Sequence, residues 1–151
     1  MSNRIRFVHC ALTLSILTLV SRLPAQQAGK QVIIPPGGRG GGMLSPGIRA
    51  GDLVFSSGQL GAAADSTVEA QTTTALNTVK GVFEAAGTSM DNAVKCTVYL
   101  VDVKDFAKMN ESYTKFFPAD RGPPARTTVV VAALVRATAK VEIECVAVIP
   151  R

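Results

Sequence analysis

The spacing of apolar residues alternates between a period of about 2 and one of about 3.6, and each switch marks an element. Leu44 to Arg49 reads as extended, Ala50-Gly51-Asp52 as a turn, and Leu53 to Ser57 as a buried strand ended by Gly58; together they predict a hairpin. Ser66-Thr67-Val68-Glu69 has capping-box spacing, with the Ser66 hydroxyl accepting from the Glu69 N–H and the Glu69 side chain reaching back. Val68, Ala75, Leu76, Val79, Val82, Phe83 and Ala86 then fall on one helical stripe, and Gly87 is placed to close the helix in a left-handed cap. Gly81 inside this helix costs about 1 kcal/mol against alanine.

Alternation returns over Ala93–Val101, where Val94, Cys96, Val98 and Leu100 share one face and Lys95, Thr97 and Tyr99 the other. A second helix begins at Val103 or Asp105 and runs to Phe117. Phe106, Met109, Tyr113, Phe116 and Phe117 form its apolar side, and Pro118 stops it. Past the turn-rich Asp120-Arg121-Gly122-Pro123-Pro124, strands over Arg126–Leu134 and Lys140–Ile149 are joined by a short connection and predict an antiparallel hairpin. The order β-β-α-β-α-β-β, with both helices covering an apolar sheet face, predicts an α+β layer of one sheet and two helices.

The N-terminus departs from this picture. Arg4 and Arg6 precede a short apolar run through Val20, and small residues follow at Ala25 and Ala28. This is the layout of a secretory signal over residues 1–25, cleaved after Ala25 or Ala28, and the run is short for a bilayer span; the competing reading is an uncleaved anchor. Residues 26–42, with Pro35-Pro36-Gly37-Gly38 and Gly40-Gly41-Gly42, read as a flexible Pro/Gly-rich linker. The globular domain is then 43–151. No Gly-Lys-Ser/Thr follows the glycines, so a phosphate loop is not supported.

Signal removal changes the charge. The whole chain of 151 residues carries 16 bases and 11 acids, net +5. Loss of Arg4, Arg6 and Arg22 leaves 13 bases, net +2, so the charge is a weak argument for nucleic acid and none is expected as a partner. Stable membrane association is not expected after cleavage either. His9, the only histidine, also leaves, which excludes Ser-His-Asp and Cys-His catalysis and His-ligated metals. Cys96 and Cys145 remain without Cys-x-x-Cys spacing, so no structural zinc, metal or other cofactor is expected. Both lie in alternating apolar runs and read as buried thiols, although an oxidising compartment allows them to pair.

Few groups are left to carry chemistry. Arg126 follows Pro123-Pro124-Ala125, and Glu142 and Glu144 project to one face of the last strand. Spacing alone favours a solvated face with an Arg–Glu cross-strand pair, worth ~0.2–1 kcal/mol.

Four blocks are more specific. Pro124-Ala125-Arg126-Thr127-Thr128-Val129 with Lys140-Val141-Glu142-Ile143 resembles the signature of the RidA (YjgF, reactive-intermediate deaminase) family. Arg49 to Gln59 resembles its first hairpin, Asn77 to Gly87 its first helix, and Asp105 to Tyr113 with Phe116-Phe117 its second. The resemblance spans residues 43–149 and implies a chorismate-mutase-like fold: one mixed sheet with two helices on one face, assembled as a homotrimer with clefts between neighbouring subunits. It implies hydrolysis of enamine or imine forms of 2-amino acids to 2-keto acids and ammonia.

Carried over by position, Arg126 grips the substrate carboxylate, to which a guanidinium offers two parallel donors. Glu142 holds or activates the attacking water and moves protons. Ser57 and Gly58 line the cleft, and Asn110 supports it. Two positions depart from the pattern. Thr128 stands where many deaminating members carry a cysteine, and Leu44 stands where an aromatic closes the cleft. These departures, together with an export that removes the chain from the enzymes making enamines, raise a second reading: a non-catalytic trimer binding small carboxylates. RNA cleavage, also attached to the family, is disfavoured by the small mature charge and missing histidine.

Overall fold

The computed structural model describes residues 29–38 and 42–151. The signal read over residues 1–25, with its cleavage positions, lies outside the described residues. The chain then forms β1 (Gln31–Ile33), β2 (Gly47–Ala50), β3 (Leu53–Ser56), β4 (Gln59–Leu60), α1 (Val68–Ala85), β5 (Ala93–Leu100), α2 (Phe106–Tyr113), β6 (Ala125–Val130) and β7 (Val141–Val148). The sheet runs β1-β2-β3-β7-β5-β6, with β4 also on β7. Among the described strands only β5 and β6 pair in parallel, connected through α2; the sheet is therefore mixed.

The expected β2–β3 hairpin is present, turning at Gly51 with φ 62°. The expected hairpin of the last two strands is not. β5 lies between β6 and β7 and pairs with both, because the connection of residues 131–140 carries the chain past the end of β5 rather than straight back. The segment read as a linker is corrected as well. Gln31–Ile33 pairs with β2 as an edge strand, and Ile33 is buried in the core.

The helical stripe of α1 packs as its spacing requires, with Val68, Ala75, Leu76, Val79, Val82 and Phe83 buried. Its cap sits one residue later than the capping box suggests: Thr67, not Ser66, accepts from the Ala70 N–H at 3.2 Å. Gly87, at φ 84°, follows the last turn and lets the Thr88 N–H reach the Phe83 carbonyl at 2.9 Å. Two polar residues join the stripe. Gln71 is fully buried, but its amide donates to the Asp65 and Thr138 carbonyls and accepts from the Lys140 N–H, so the loop before α1 and the connection leading into β7 are both tied to α1. The second helix ends at Tyr113, short of the expected Phe117, and Phe116–Phe117 lie in the turn beyond.

In β5, Cys96, Val98 and Leu100 face the core as expected, but Val94 is exposed. A bulge between Ala93 and Lys95 adds a residue to one strand, which reverses the alternation and buries Ala93 in its place. Cys96 stands opposite Cys145 of β7, and the two sulfurs are bonded. The buried thiols expected at these positions are therefore a disulfide joining the two central strands. Its closed loop of 49 residues is worth about 4 kcal/mol on a chain-entropy argument.

Candidate active site

Arg126 lies one strand away from that disulfide. In the parallel β5–β6 ladder it is in register with Cys96, and Thr128 with Val98, so both project to the helix-covered side. There the Arg126 guanidinium rests over the ring of Tyr113, 4.6 Å from its centroid, and near that of Phe106 at 5.9 Å. Phe106, Asn110 and Tyr113 are spaced four and three residues apart on α2, one face of a helix. The half-buried Asn110 thus sits on the same stripe as the rings that seat the arginine.

Among the described residues, no carboxylate forms a salt bridge with Arg126. A half-buried guanidinium held on two aromatic faces, with its donor edge uncommitted to an acid, suits an incoming carboxylate. Two hydroxyls in this region, Thr128 Oγ1 and the Tyr113 phenol, are buried without a hydrogen-bond partner among the described residues. Phe106 and Tyr113 read from the sequence only as the apolar side of a helix. The signal that distinguishes them is their joint position opposite Arg126, which requires the β5–β6 register.

Burial pushes the Tyr113 phenol up to about 12, against the opposing pull of the Arg126 charge. An unfolded tyrosine loses its proton near pH ~10, so between pH ~10 and ~12 the unfolded state binds fewer protons than the folded one and stability falls as pH rises. The expected loss is roughly 2 kcal/mol over that window. Urea unfolding at stepped pH checks it, and Tyr113→Phe should remove this part of the slope.

Glu142 occupies the other side of the sheet. It alternates with Val141 and Ile143, both buried beneath the helices, and its register partner on β5 is Tyr99. Tyr99 in turn donates to Glu144 Oε1 at 3.3 Å. Glu142 lines an open hollow of about 290 Å³ with Tyr99, Leu134 and Glu144.

Gly58, preceded by Ser57, reaches Glu142 through a break in the sheet edge. β3 pairs with β7 as far as Phe55 opposite Val146, and pairing resumes with Gln59 opposite Ile143. Four steps on one strand against three on the other make a bulge, and the Ser56 hydroxyl compensates for the interrupted ladder by accepting from the Cys145 N–H at 2.9 Å. The bulge sets Gly58 so close to Glu142 that a Cβ at position 58 would collide with Glu142 Oε1. Ser57 donates to the Ser45 carbonyl at 2.6 Å, fixing the segment that carries Leu44, which is itself largely exposed.

The residues singled out in the sequence therefore fall into two groups. Arg126, Thr128 and Asn110 belong to the helix-covered side at β6. Glu142 and Gly58 meet at the β4–β7 edge, with Ser57 next in the chain and Leu44 on the segment that Ser57 ties down. Arg126 and Glu142 are on opposite faces with β5 between their strands, so a cross-strand pair between them is ruled out. One copy of the chain cannot bring both to the same small molecule.

A family model described as Endoribonuclease L-PSP matches residues 41–149, most of the chain and nearly all of the described fold. The chain belongs to the RidA/YjgF family. Its sheet and two helices are the chorismate-mutase-like layer of that family. Over 112 residues this RidA/YjgF chain is 42% identical to Reactive Intermediate Deaminase A of Arabidopsis thaliana, covering 70% of this chain and 58% of that protein. It is 40% identical over 109 residues to the 2-iminobutanoate/2-iminopropanoate deaminase of Salmonella typhimurium, covering 68% and 84%. Among solved structures, E. coli TdcF with bound serine matches with a TM-score of 0.68 at 33% identity, covering 78% of this chain and 98% of that one.

Proposed function

We propose that this chain hydrolyses the enamine and imine forms of 2-amino acids to 2-keto acids and ammonia. The observation that carries the proposal is Arg126, a guanidinium seated on aromatic rings with no acid of its own among the described residues. The names of the Arabidopsis and Salmonella relatives support the same reaction.

The chemistry follows from the two groups of residues. Arg126 binds the carboxylate and fixes the position of C2. An enamine first takes a proton at carbon and gives one up from nitrogen to solvent, becoming the imine. The Glu142 carboxylate then accepts a proton from water as the water oxygen bonds to C2. That proton passes to nitrogen and gives a carbinolamine; its hydroxyl proton then moves by way of Glu142 to the same nitrogen, the C=O bond forms as the C–N bond breaks, and ammonia leaves with the keto acid. No histidine or metal is needed for these transfers.

Because Arg126 and Glu142 face opposite sides of one sheet, the working cleft takes Arg126 from one copy and Glu142 from its neighbour. A homotrimer supports this arrangement. The uncovered sheet face exposes Leu53, Phe55, Val129 and Val148, each more than a third accessible, and a second copy buries them. The Cys96–Cys145 disulfide favours folding in an oxidising compartment, in keeping with export.

The test is a coupled assay on residues 29–151. A threonine dehydratase supplies 2-aminocrotonate, and release of 2-oxobutanoate is timed with and without the protein. Acceleration is the expected result. A folded trimer that binds 2-oxobutanoate without acceleration favours the carboxylate-binding reading instead, for which the replacement of cysteine by Thr128 is the supporting feature.

A further inference from the structure

The bulge between β3 and β4 decides which side chains stand beside Glu142. Phe55 opposite Val146 and Gln59 opposite Ile143 differ by one residue in register. Without the extra residue, the ladder would set Ser56 opposite Cys145, Gly58 opposite Ile143 and Gln59 opposite Glu142. Instead Leu60 is the partner of Glu142, and Gln59 shares the helix-covered side with Ile143. There the Gln59 amide turns back and donates to the Ser57 carbonyl at 3.0 Å. The Glu142 carboxylate is left beside the bare Gly58 and an apolar leucine. In the unbulged register it would meet an amide donor that competes with water for its lone pairs.

One side chain holds the extra residue in place. Ser56 is buried, and its hydroxyl takes the Cys145 N–H at 2.9 Å. That N–H points to the β3–β4 side at the interruption, and an alanine at position 56 would leave it buried without this partner. The other end of the short strand is fixed independently. Just past β4, Gly61 lies so close to α1 that an added Cβ would collide with the Gln71 backbone, and its carbonyl accepts from the Arg136 guanidinium. With β4 pinned there, the placement of the extra residue is settled at Ser56.

We propose that Ser56 is a positioning residue for the general base: its hydroxyl keeps the extra residue in the edge strand and so keeps Gly58 and Leu60, not Gln59, beside Glu142. The inference rests on the deaminase reading for the role of Glu142. Ser56 follows the buried Val54 by two residues and faces the helix-covered side, so it does not touch a substrate at Glu142 and acts only through the bulge. Once the hydroxyl is gone, the Cys145 N–H is satisfied by water entering the interruption or by the ladder closing up one residue. Either change moves Gly58 away from the carboxylate, and small displacements of a catalytic group are costly. Arg126 lies on β6 at the far edge of the sheet and is untouched, so the loss falls on turnover rather than on binding.

Ser56→Ala, Ser56→Thr and Ser56→Val test this in the coupled assay, with exchange of the Cys145 amide followed alongside by NMR. Threonine and valine have the same shape and differ in the hydroxyl. Ser56→Ala and Ser56→Val should lower kcat by about tenfold or more, with KM and 2-oxobutanoate affinity within about twofold of wild type. Both should also speed exchange of the Cys145 amide by about tenfold or more. Ser56→Thr should keep that amide protected and recover most of the turnover. Wild-type kcat in a folded Ser56→Ala overturns the proposal, and so does a Ser56→Thr variant as slow as Ser56→Val. Failure of both Ser56→Ala and Ser56→Val to fold also overturns it, since the hydroxyl then serves the fold and not the base. A wild type without turnover condemns the deaminase reading instead. Amide protection lost in Ser56→Val and kept in Ser56→Thr then still upholds the hold of Ser56 on the bulge, and equal protection in the two overturns it.

Discussion

Arg126→Ala should lower kcat/KM for 2-iminobutanoate by on the order of 10²- to 10³-fold, the scale set by truncating one partner of a desolvated charge pair, roughly 2–5 kcal/mol. The loss should appear mainly in substrate binding, because the guanidinium holds a carboxylate that is present before and after the reaction. The disulfide, the β5–β6 ladder and the proposed trimer should persist, since Arg126 projects from β6 into the space beneath α2 and spans no strand pair. Arg126→Lys separates charge from shape. A lysine keeps the positive charge but loses the planar fork and the stacking on Tyr113 and Phe106, so it should recover only part of the loss. Steady-state kinetics with sedimentation of both variants checks this. Dissociation of the Arg126→Ala trimer would make the arginine structural.

Glu142→Gln should show the complementary pattern. The amide has nearly the shape of the carboxylate but cannot take the proton of the attacking water. Turnover should fall by roughly 10²- to 10⁴-fold while the affinity for a 2-oxo acid stays close to that of wild type. The close approach of Gly58 makes position 142 sensitive to size, and glutamine respects that limit. Calorimetry and the coupled assay on one preparation separate the two quantities. Unchanged turnover would remove Glu142 from the chemistry.

The two variants matter together because the chain places these residues on opposite faces of its sheet. That separation was only half legible in the sequence. The alternation of Val141, Ile143 and Cys145 assigns Glu142 to the uncovered face without any structure, because a period of about 2 is a local property of one strand. The face of Arg126 could not be read in the same way. Its strand is Thr- and Val-rich on both sides, and its orientation depends on a parallel register with β5 that forms across α2. The expectation of a β6–β7 hairpin failed for the same reason. A short connection suggests neighbouring strands, but strand order is decided by long-range pairing, and β5 gained both neighbours.

Other differences have equally local causes. Val94 reads as a core residue until the bulge beside it reverses the alternation. Gln31–Ile33 was hidden by the prolines and glycines that follow it, yet three residues suffice for an edge strand once β2 offers a free side. The cysteines alternate in phase with the core on both strands, and only the register that sets Cys96 opposite Cys145 turns two buried thiols into a bridge. By contrast, the stripe of α1, the Gly87 cap and the β2–β3 turn depend on residues within a few positions of each other, and all formed as their spacing requires.

The central claim is that a working cleft is shared between two copies, and co-assembly of the two inactive variants tests it most directly. Arg126→Ala and Glu142→Gln chains, each nearly inactive alone, are co-expressed in equal amounts and purified as mixed trimers. If each cleft draws its arginine from one copy and its glutamate from the next, about a quarter of the clefts contain both native residues, and keto-acid release should return to about a quarter of the wild-type rate. A mixture no more active than its separate components would contradict the shared cleft, because a site contained within one chain is never restored by a neighbour.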